Sequence, residues 1–189
     1  MNTHHIIKQD NYLMSARTFF KSLLDTEEIQ AVLVPLIQSQ KNDIMPALVS
    51  NSEDMDRADP LTPYFPINSA KLVSQITRKG LNKKTAVFMR PCEIRALIEL
   101  VKLKQADITN LVIISWDCLS AFPNKVFKAQ FREKGEAFTN EYIASRLSSS
   151  FIDDYKSNIA TACLYAPTLF LQMQIFLSIL ILIMQGFLK

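Results

Sequence analysis

Glycine is the residue that this sequence most clearly lacks. Only three glycines occur in 189 residues, at Gly80, Gly135 and Gly186. Dinucleotide-binding fingerprints and P-loops need several glycines in close series, because their backbone has to approach phosphate groups closely. Both kinds of nucleotide site are therefore excluded, and any flavin or nucleotide has to be held in another way.

Histidine and cysteine are also sparse. The two histidines, His4 and His5, are adjacent and near the chain start, where side chains are usually solvated. The three cysteines, Cys92, Cys118 and Cys163, are far apart and odd in number, and the first residues carry no secretory signal. We therefore expect free thiols or metal ligands in a reducing cytoplasm rather than disulfides, with buried structural thiols as the alternative.

Charge and hydrophobicity set the class of protein. The net charge is only +3, and 49% of the residues are hydrophobic. Such a chain folds around a real core rather than staying disordered. No basic stripe with interleaved aromatic residues is present, which argues against nucleic acid as a partner.

The segment Thr85–Cys118 carries the strongest structural signal. Two short apolar runs, Ala86–Met89 and Leu111–Ser115, flank a stretch with helical periodicity. Strand, helix and strand in this order predict a βαβ unit over 85–118, with two parallel strands buried on both faces. Ligands bind outside the carboxyl ends of such strands. Cys92 and Cys118 follow the two strands, so both are expected at that edge of the sheet.

The fold class predicted for the whole chain is α/β, with a small, mainly parallel sheet, flanking helices and an apolar C-terminal helix. Outside the βαβ unit we expect helices at Tyr12–Leu24, Ser69–Lys79, Thr139–Leu147 and Phe151–Ile159, and a hairpin of strands Ala31–Ile37 and Ile44–Val49.

Proline shapes two parts of this arrangement. Pro35 cannot donate to a strand ladder, so we expect it near the end of the first hairpin strand or at a sheet edge. The motif DPLTPYFP, residues 59–66, predicts an ordered, extended loop because proline restricts the residue before it. A binding surface and a plain connector are both open interpretations of this loop.

Three motifs carry a resemblance to a known family. RPCEIRALIELVKL, DPLTPYFPINSA and the WDC after the second strand resemble the coenzyme F420-reducing hydrogenase and formate dehydrogenase beta-subunit family, over roughly Leu24 to Cys163. Members of that family are flavin-containing iron–sulfur electron-transfer subunits. The resemblance implies a 4Fe-4S cluster and FAD as cofactors, and coenzyme F420 as a candidate substrate. It also implies other hydrogenase, dehydrogenase or heterodisulfide-reductase-type subunits as partners.

The resemblance also implies a set of metal ligands. Cys92 matches the family's PCE cysteine, Cys118 its DC cysteine, and Cys163 the first cysteine of a CxxC pair. The second cysteine of that pair is absent, and Ser120-Ala121 stands where the family has glycine-threonine. A closed cluster takes four thiolates, so we expect an incomplete electron-transfer site.

Other candidate site residues surround the first cysteine. The resemblance places Arg90, Glu93 and Asp117 near a cofactor, where Arg90 and Glu93 would orient Cys92 or meet an anionic group. A surface ion pair is the alternative for Arg90 and Glu93. A thiol-based enzyme is a further alternative, because a cysteine at a helix N-terminus is expected to have a lowered pKa.

The C-terminal residues differ sharply from the rest. Leu169–Leu188 is almost wholly apolar and uncharged, and about 20 such residues suffice to cross a bilayer. The chain therefore divides into an α/β domain at 1–160 and an apolar tail at 164–189. A genuine transmembrane helix would make this a membrane-tethered interaction module without catalytic activity. A frameshift just after Cys163 would instead make it a truncated family member, since a plausible back-translation restores the CxxC pair in another frame.

Overall fold

One mixed sheet forms the centre of the protein. A computed structural model of the chain describes residues 11–38, 43–116, 118–147, 158–165 and 180–182. Within these ranges five strands pair in the order β2-β1-β3-β4-β5. Strands β1, β3 and β4 are parallel, and β2 and β5 add antiparallel edges. The strands are β1 (Ala31–Gln38), β2 (Asp43–Val49), β3 (Thr85–Phe88), β4 (Leu111–Ser115) and β5 (Leu180–Leu182).

Helices cover both faces of this sheet. Helices α2 and α3 pack on one face, and α1, α4 and α5 pack on the other. A short 3-10 helix, Ser52–Arg57, follows the β1–β2 hairpin. The α-helices are α1 (Tyr12–Asp25), α2 (Ser69–Thr77), α3 (Pro91–Lys102), α4 (Asn124–Lys134), α5 (Ala137–Leu147) and α6 (Thr161–Leu164).

Alternation along β3 explains why the strand is buried throughout. Ala86 and Phe88 belong to the core beneath α1, α4 and α5, whereas Val87 and Met89 belong to the core beneath α2 and α3. Successive side chains of a strand point to opposite faces, so a strand between two helical layers buries every residue. The α/β class and the parallel βαβ unit are therefore confirmed.

Pro35 lies inside β1 rather than at its end, but at this position β1 is paired with β2 alone, so the predicted place at a sheet edge is confirmed. The parallel pairing of β1 with β3 stops at Leu33, while the antiparallel pairing with β2 continues through Pro35 to Gln38. No ladder partner on the β3 side requires an N–H from residue 35. The carbonyl of Pro35 instead accepts a hydrogen bond from the Asp59 N–H at 2.9 Å.

The buried side chain of Glu93 connects helices α2 and α3 at the carboxyl edge of the sheet. Its Oε2 accepts the backbone N–H of Arg90 at 3.0 Å, and its Oε1 accepts that of Ser69 at 2.7 Å. The side chain is only 4% exposed. One buried carboxylate thus satisfies N–H groups at the beginnings of both α2 and α3, which otherwise have no intrahelical partner.

The apolar C-terminal helix is not confirmed. Of Leu169–Leu188 the structure describes only Leu180–Leu182, which form strand β5 rather than helix. Among the described residues no helix is long and apolar enough to cross a membrane. Membrane attachment through 169–188, the cytoplasmic location and the division into 1–160 and 164–189 stay predictions. His4, His5 and most of the helix predicted at Phe151–Ile159 lie outside the described residues.

We expect Glu93→Gln to lower the free energy of unfolding by about 1–3 kcal/mol, because the neutral amide has one acceptor atom for two buried N–H groups. Urea unfolding followed by circular dichroism measures this change. Glu99→Gln in the same helix is the matched control: Glu99 is exposed and pairs with Lys102 at 2.8 Å, a contact worth at most about 1 kcal/mol. Equal losses in the two variants would show that the buried carboxylate does not hold the helices.

Candidate functional site

The structure brings all three cysteines to the carboxyl edge of the sheet. Cys92 is the second residue of α3, Cys118 follows β4 by three residues, and Cys163 lies in α6. The α6 segment is held there by a hydrogen bond from the Ala160 N–H to the Ala121 carbonyl at 2.8 Å. The charges of the other two cysteines act on the Cys92 thiol. We call this group the three-cysteine edge.

The three-cysteine edge does not form a finished metal site. Among the described ranges no group of three or more His, Cys, Asp or Glu side chains lies close enough to hold a metal ion. The sequence holds three cysteines, one fewer than a closed iron–sulfur site uses. The sulfur donors thus fit an iron–sulfur cluster in chemistry, but neither in spacing nor in number.

The thiol of Cys92 has a raised pKa, which contradicts the expectation from its helix position. Partial desolvation of the thiol is the main cause, although Cys92 as a whole residue is exposed, and the nearby Cys118 and Glu93 raise the pKa further. Arg90 lowers it, but these effects outweigh that attraction. Burial also raises the pKa of Cys163. A thiol-based enzyme that relies on an activated Cys92 thiolate is therefore not supported.

Arg90 is buried beside the cysteines. Its side chain is 4% exposed, so the surface ion pair considered for it is wrong. Its Nη2 donates to the carbonyl of Thr62, and the guanidinium lies over the ring of Phe65. Burial lowers the pKa of Arg90, and the nearby Cys118 and Glu93 oppose that change. Arg90 thus places a positive charge next to the three-cysteine edge.

Glu93 and Asp117 differ from Arg90 in what the structure shows of them. Glu93 is buried and uses both oxygens for backbone N–H groups, which gives it a helix-capping position rather than one facing a cofactor. Asp117 lies outside the described residues.

The DPLTPYFP loop packs against Arg90 and lies next to the three-cysteine edge. Its Tyr64 stacks on Phe127 with ring centroids 4.4 Å apart and planes 2° from parallel. The carbonyl of Pro63 accepts the N–H of Phe122 at 2.8 Å. Together with the bond from Arg90 to Thr62, these contacts make the loop a fixed part of the site rather than a plain connector.

Asp59, the first residue of this loop, is a buried carboxylate near Arg90 that sequence reasoning did not single out. It is fully buried, and Thr139 donates its Oγ1–H to Oδ2 at 2.6 Å. Its Oδ1 has no hydrogen-bond partner. Burial raises the pKa of Asp59 to about 7, although the Thr139 hydrogen bond and the charges of Arg17 and Arg90 oppose that rise. The only signal in the sequence was its place within the motif.

A small pocket lies between the loop and the end of β4. Its volume is about 20 Å³, enough for a water-sized group and too small for a flavin ring. We call it the Arg90 pocket. Its wall includes Thr62, Arg90, Trp116, Cys118, Ser120 and Tyr142.

Tyr142 and Ser120 close one side of the Arg90 pocket. The Tyr142 hydroxyl donates to the Leu119 carbonyl and lies 2.9 Å from the Ser120 Oγ. Burial raises the pKa of Tyr142 to about 12, so this hydroxyl stays protonated at neutral pH. Ser120 has φ 80°, a conformation that favours glycine. Ser120 is the position at which the family resemblance expects glycine.

Comparison with known proteins finds distant relatives of the predicted kind. The F420-dependent formate dehydrogenase subunit beta of Methanocaldococcus jannaschii is 30% identical over 99 residues, which cover 52% of this chain and 25% of that protein. The F420-dependent formate dehydrogenase 1 subunit beta of Methanococcus maripaludis is 28% identical over 106 residues, covering 56% and 27%. No family model matches the chain. The chain spans about a quarter of the length of these curated relatives.

We expect Asp59→Asn to change how stability depends on pH. The ordinary pKa of the carboxyl is 3.8, and burial raises it to about 7 in the folded protein. The folded state therefore binds more protons than the unfolded state between these values, and Asp59 lowers the stability of the wild type as pH rises from about 4 to 7. The amide of the variant does not ionise, so the variant gains stability relative to wild type over that range, by on the order of 4 kcal/mol, and the gain is constant above it.

Urea unfolding at a series of pH values measures this difference. Asp54→Asn is the control, because Asp54 is exposed and pairs with Arg57 at 2.6 Å on the surface. A difference between Asp59→Asn and wild type that does not vary between pH 4 and pH 7 would show that Asp59 is ionised throughout.

Proposed function

We propose that this chain is part of a redox-enzyme subunit related to the F420-dependent formate dehydrogenase beta subunits, and that the three-cysteine edge carries an iron–sulfur cluster for electron transfer. The observation that supports it is the meeting of Cys92, Cys118 and Cys163 at the carboxyl edge of a parallel sheet. These residues come from three separate parts of the sequence. Structural thiols would more often be buried singly in the core, whereas Cys92 is exposed and the other two are partly buried.

The residues around the cysteines are compatible with an iron–sulfur cluster. Such a cluster supplies one-electron transfer when bound, and its potential depends on net charge and on solvent exposure. Arg90 provides a buried positive charge beside the thiols. Since Cys92 and Cys163 have raised pKa values as free thiols, binding of iron has to displace protons from them. A fourth ligand would be a non-cysteine group, a small molecule or a residue of a partner subunit.

FAD and coenzyme F420 do not fit the Arg90 pocket, which holds about 20 Å³. Their binding stays a prediction from the resemblance, and so does assembly with other dehydrogenase, hydrogenase or heterodisulfide-reductase-type subunits.

Anaerobic incubation of the full chain with ferrous iron and sulfide tests the proposal. We expect wild type to bind iron and sulfide and to gain the broad visible absorption of an iron–sulfur cluster. Cys92→Ser, Cys118→Ser and Cys163→Ser are each expected to lower bound iron at least about tenfold, because a hydroxyl is a poor ligand for iron compared with a thiolate. Iron analysis and absorption spectroscopy are the measurements.

Glu99→Gln is the control here too, because it changes an exposed residue of the helix that carries Cys92 and leaves every thiol in place. The proposal fails if reduced wild type takes up no iron. It also fails if the three serine variants bind as much iron as Glu99→Gln does.

A further inference from the structure

A groove opens between the ends of helices α2 and α3, at the edge of the sheet opposite the cysteines. It is lined by residues within 74–78 and 101–108, and its volume is about 560 Å³. Residues 78–84 lead into β3, and residues 103–110 lead into β4. Parallel strands begin at the same edge of a sheet, so both segments lie there. We call this cavity the amino-edge groove, and none of its residues takes part in the proposed iron site.

Hydrogen bonds between its two walls hold the amino-edge groove in shape. The Ser74 Oγ donates to the carbonyl of Gln105 at 2.6 Å. The N–H of Asp107 donates to the Thr77 Oγ1 at 3.2 Å. The groove is therefore formed in the free chain, and a ligand does not have to order its walls on binding.

The surroundings of the groove carry an excess of positive charge. Within the part of the chain that the structure describes, four exposed cations have no carboxylate partner, namely Arg78, Lys79, Lys83 and Lys104. Two of them, Arg78 and Lys104, line the groove itself. The acidic residue of the wall is Asp107, and its Oδ1 accepts the Thr109 N–H at 2.8 Å. The cations thus outnumber the acidic groups at this surface.

We propose that the amino-edge groove is a docking site for an acidic, extended segment of a partner protein. Carboxylates of this segment pair with Arg78 and Lys104, which gives the complementary charge that steers and orients a partner. An apolar side chain between the carboxylates packs on Val101, Ala106 and Ile108 in the groove. These three residues are only partly buried, so the contact removes further apolar surface from water.

The openness and composition of the groove favour a protein segment over other acidic ligands. Only Thr77 is buried among the lining residues, all of which the structure describes. A site for a small molecule encloses most of its ligand, which this open groove does not do. No aromatic side chain lines it, whereas single-stranded nucleic acid is bound by stacking on aromatic rings. Anionic membranes attract basic segments without requiring a groove.

This inference does not depend on the proposed function. The groove lies at the edge opposite the cysteines and requires neither iron nor any thiolate. An absence of peptide binding leaves the iron experiment unaffected, and an absence of iron binding leaves the docking site in place.

Fluorescence anisotropy of a labelled peptide tests the proposal on the full chain. The probe is a short peptide in which a leucine is flanked on both sides by glutamates. We expect saturable binding that weakens as salt is raised, because salt screens exposed charges. Arg78→Gln combined with Lys104→Gln removes two exposed ion pairs with the peptide and is expected to weaken binding about tenfold.

The matched control is Lys125→Gln combined with Arg132→Gln. These two residues are exposed cations of α4, which packs on the other face of the sheet. The control changes the net charge by the same amount as the groove variant does. It is therefore expected to bind the peptide as wild type does.

Charge reversal separates binding from folding. Arg78→Glu combined with Lys104→Glu is expected to lose the acidic peptide and to bind the same peptide with lysines in place of its glutamates, a gain that misfolding does not produce. The proposal is overturned if the α4 control weakens binding as much as the groove variant, or if charge reversal brings no binding of the lysine peptide. It is also overturned if oligothymidine or phosphatidylserine vesicles bind wild type more tightly than the peptide does, with the same dependence on Arg78 and Lys104.

Discussion

The buried guanidinium of Arg90 is the interaction on which the rest of this site depends. A charged group withdrawn from water is costly unless hydrogen bonds and neighbouring charges replace its hydration. Arg90 meets this demand by contacting Thr62 and Phe65 of the DPLTPYFP loop and by lying beside Cys118. Its backbone N–H is held by Glu93. The turn after β3, the loop and the cysteines are consequently fixed relative to one another.

The polar groups beneath the three-cysteine edge form one connected arrangement. Asp59 joins the DPLTPYFP loop to α5 through Thr139 and joins it to β1 through Pro35. In a medium of low polarity each of these contacts is stronger than in water, and each missing contact costs more. The raised pKa of Asp59 and the unpaired donors of Arg90 and Thr62 therefore have one cause, which is burial of polar groups at the edge of the sheet.

Iron–sulfur chemistry makes a demand on this edge that the structure meets only in part. An iron–sulfur cluster needs thiolates, and the structure brings three cysteines to one edge of the sheet without forming a closed site among the described residues. Arg90 contributes a buried positive charge that acts on the cysteines.

The sequence by itself determined the βαβ unit, the α/β class and the place of Cys92 and Cys118, because these follow from the local periodicity of apolar residues and from the chain direction of parallel strands. Only the tertiary structure decided that Cys163 reaches the same edge, that Pro35 lies within a strand, and that Arg90 and Asp59 are buried. Those outcomes depend on contacts between residues far apart in the sequence. A charged residue near a turn has the same local pattern whether it faces water or a folded loop, so its burial is set by what packs over it.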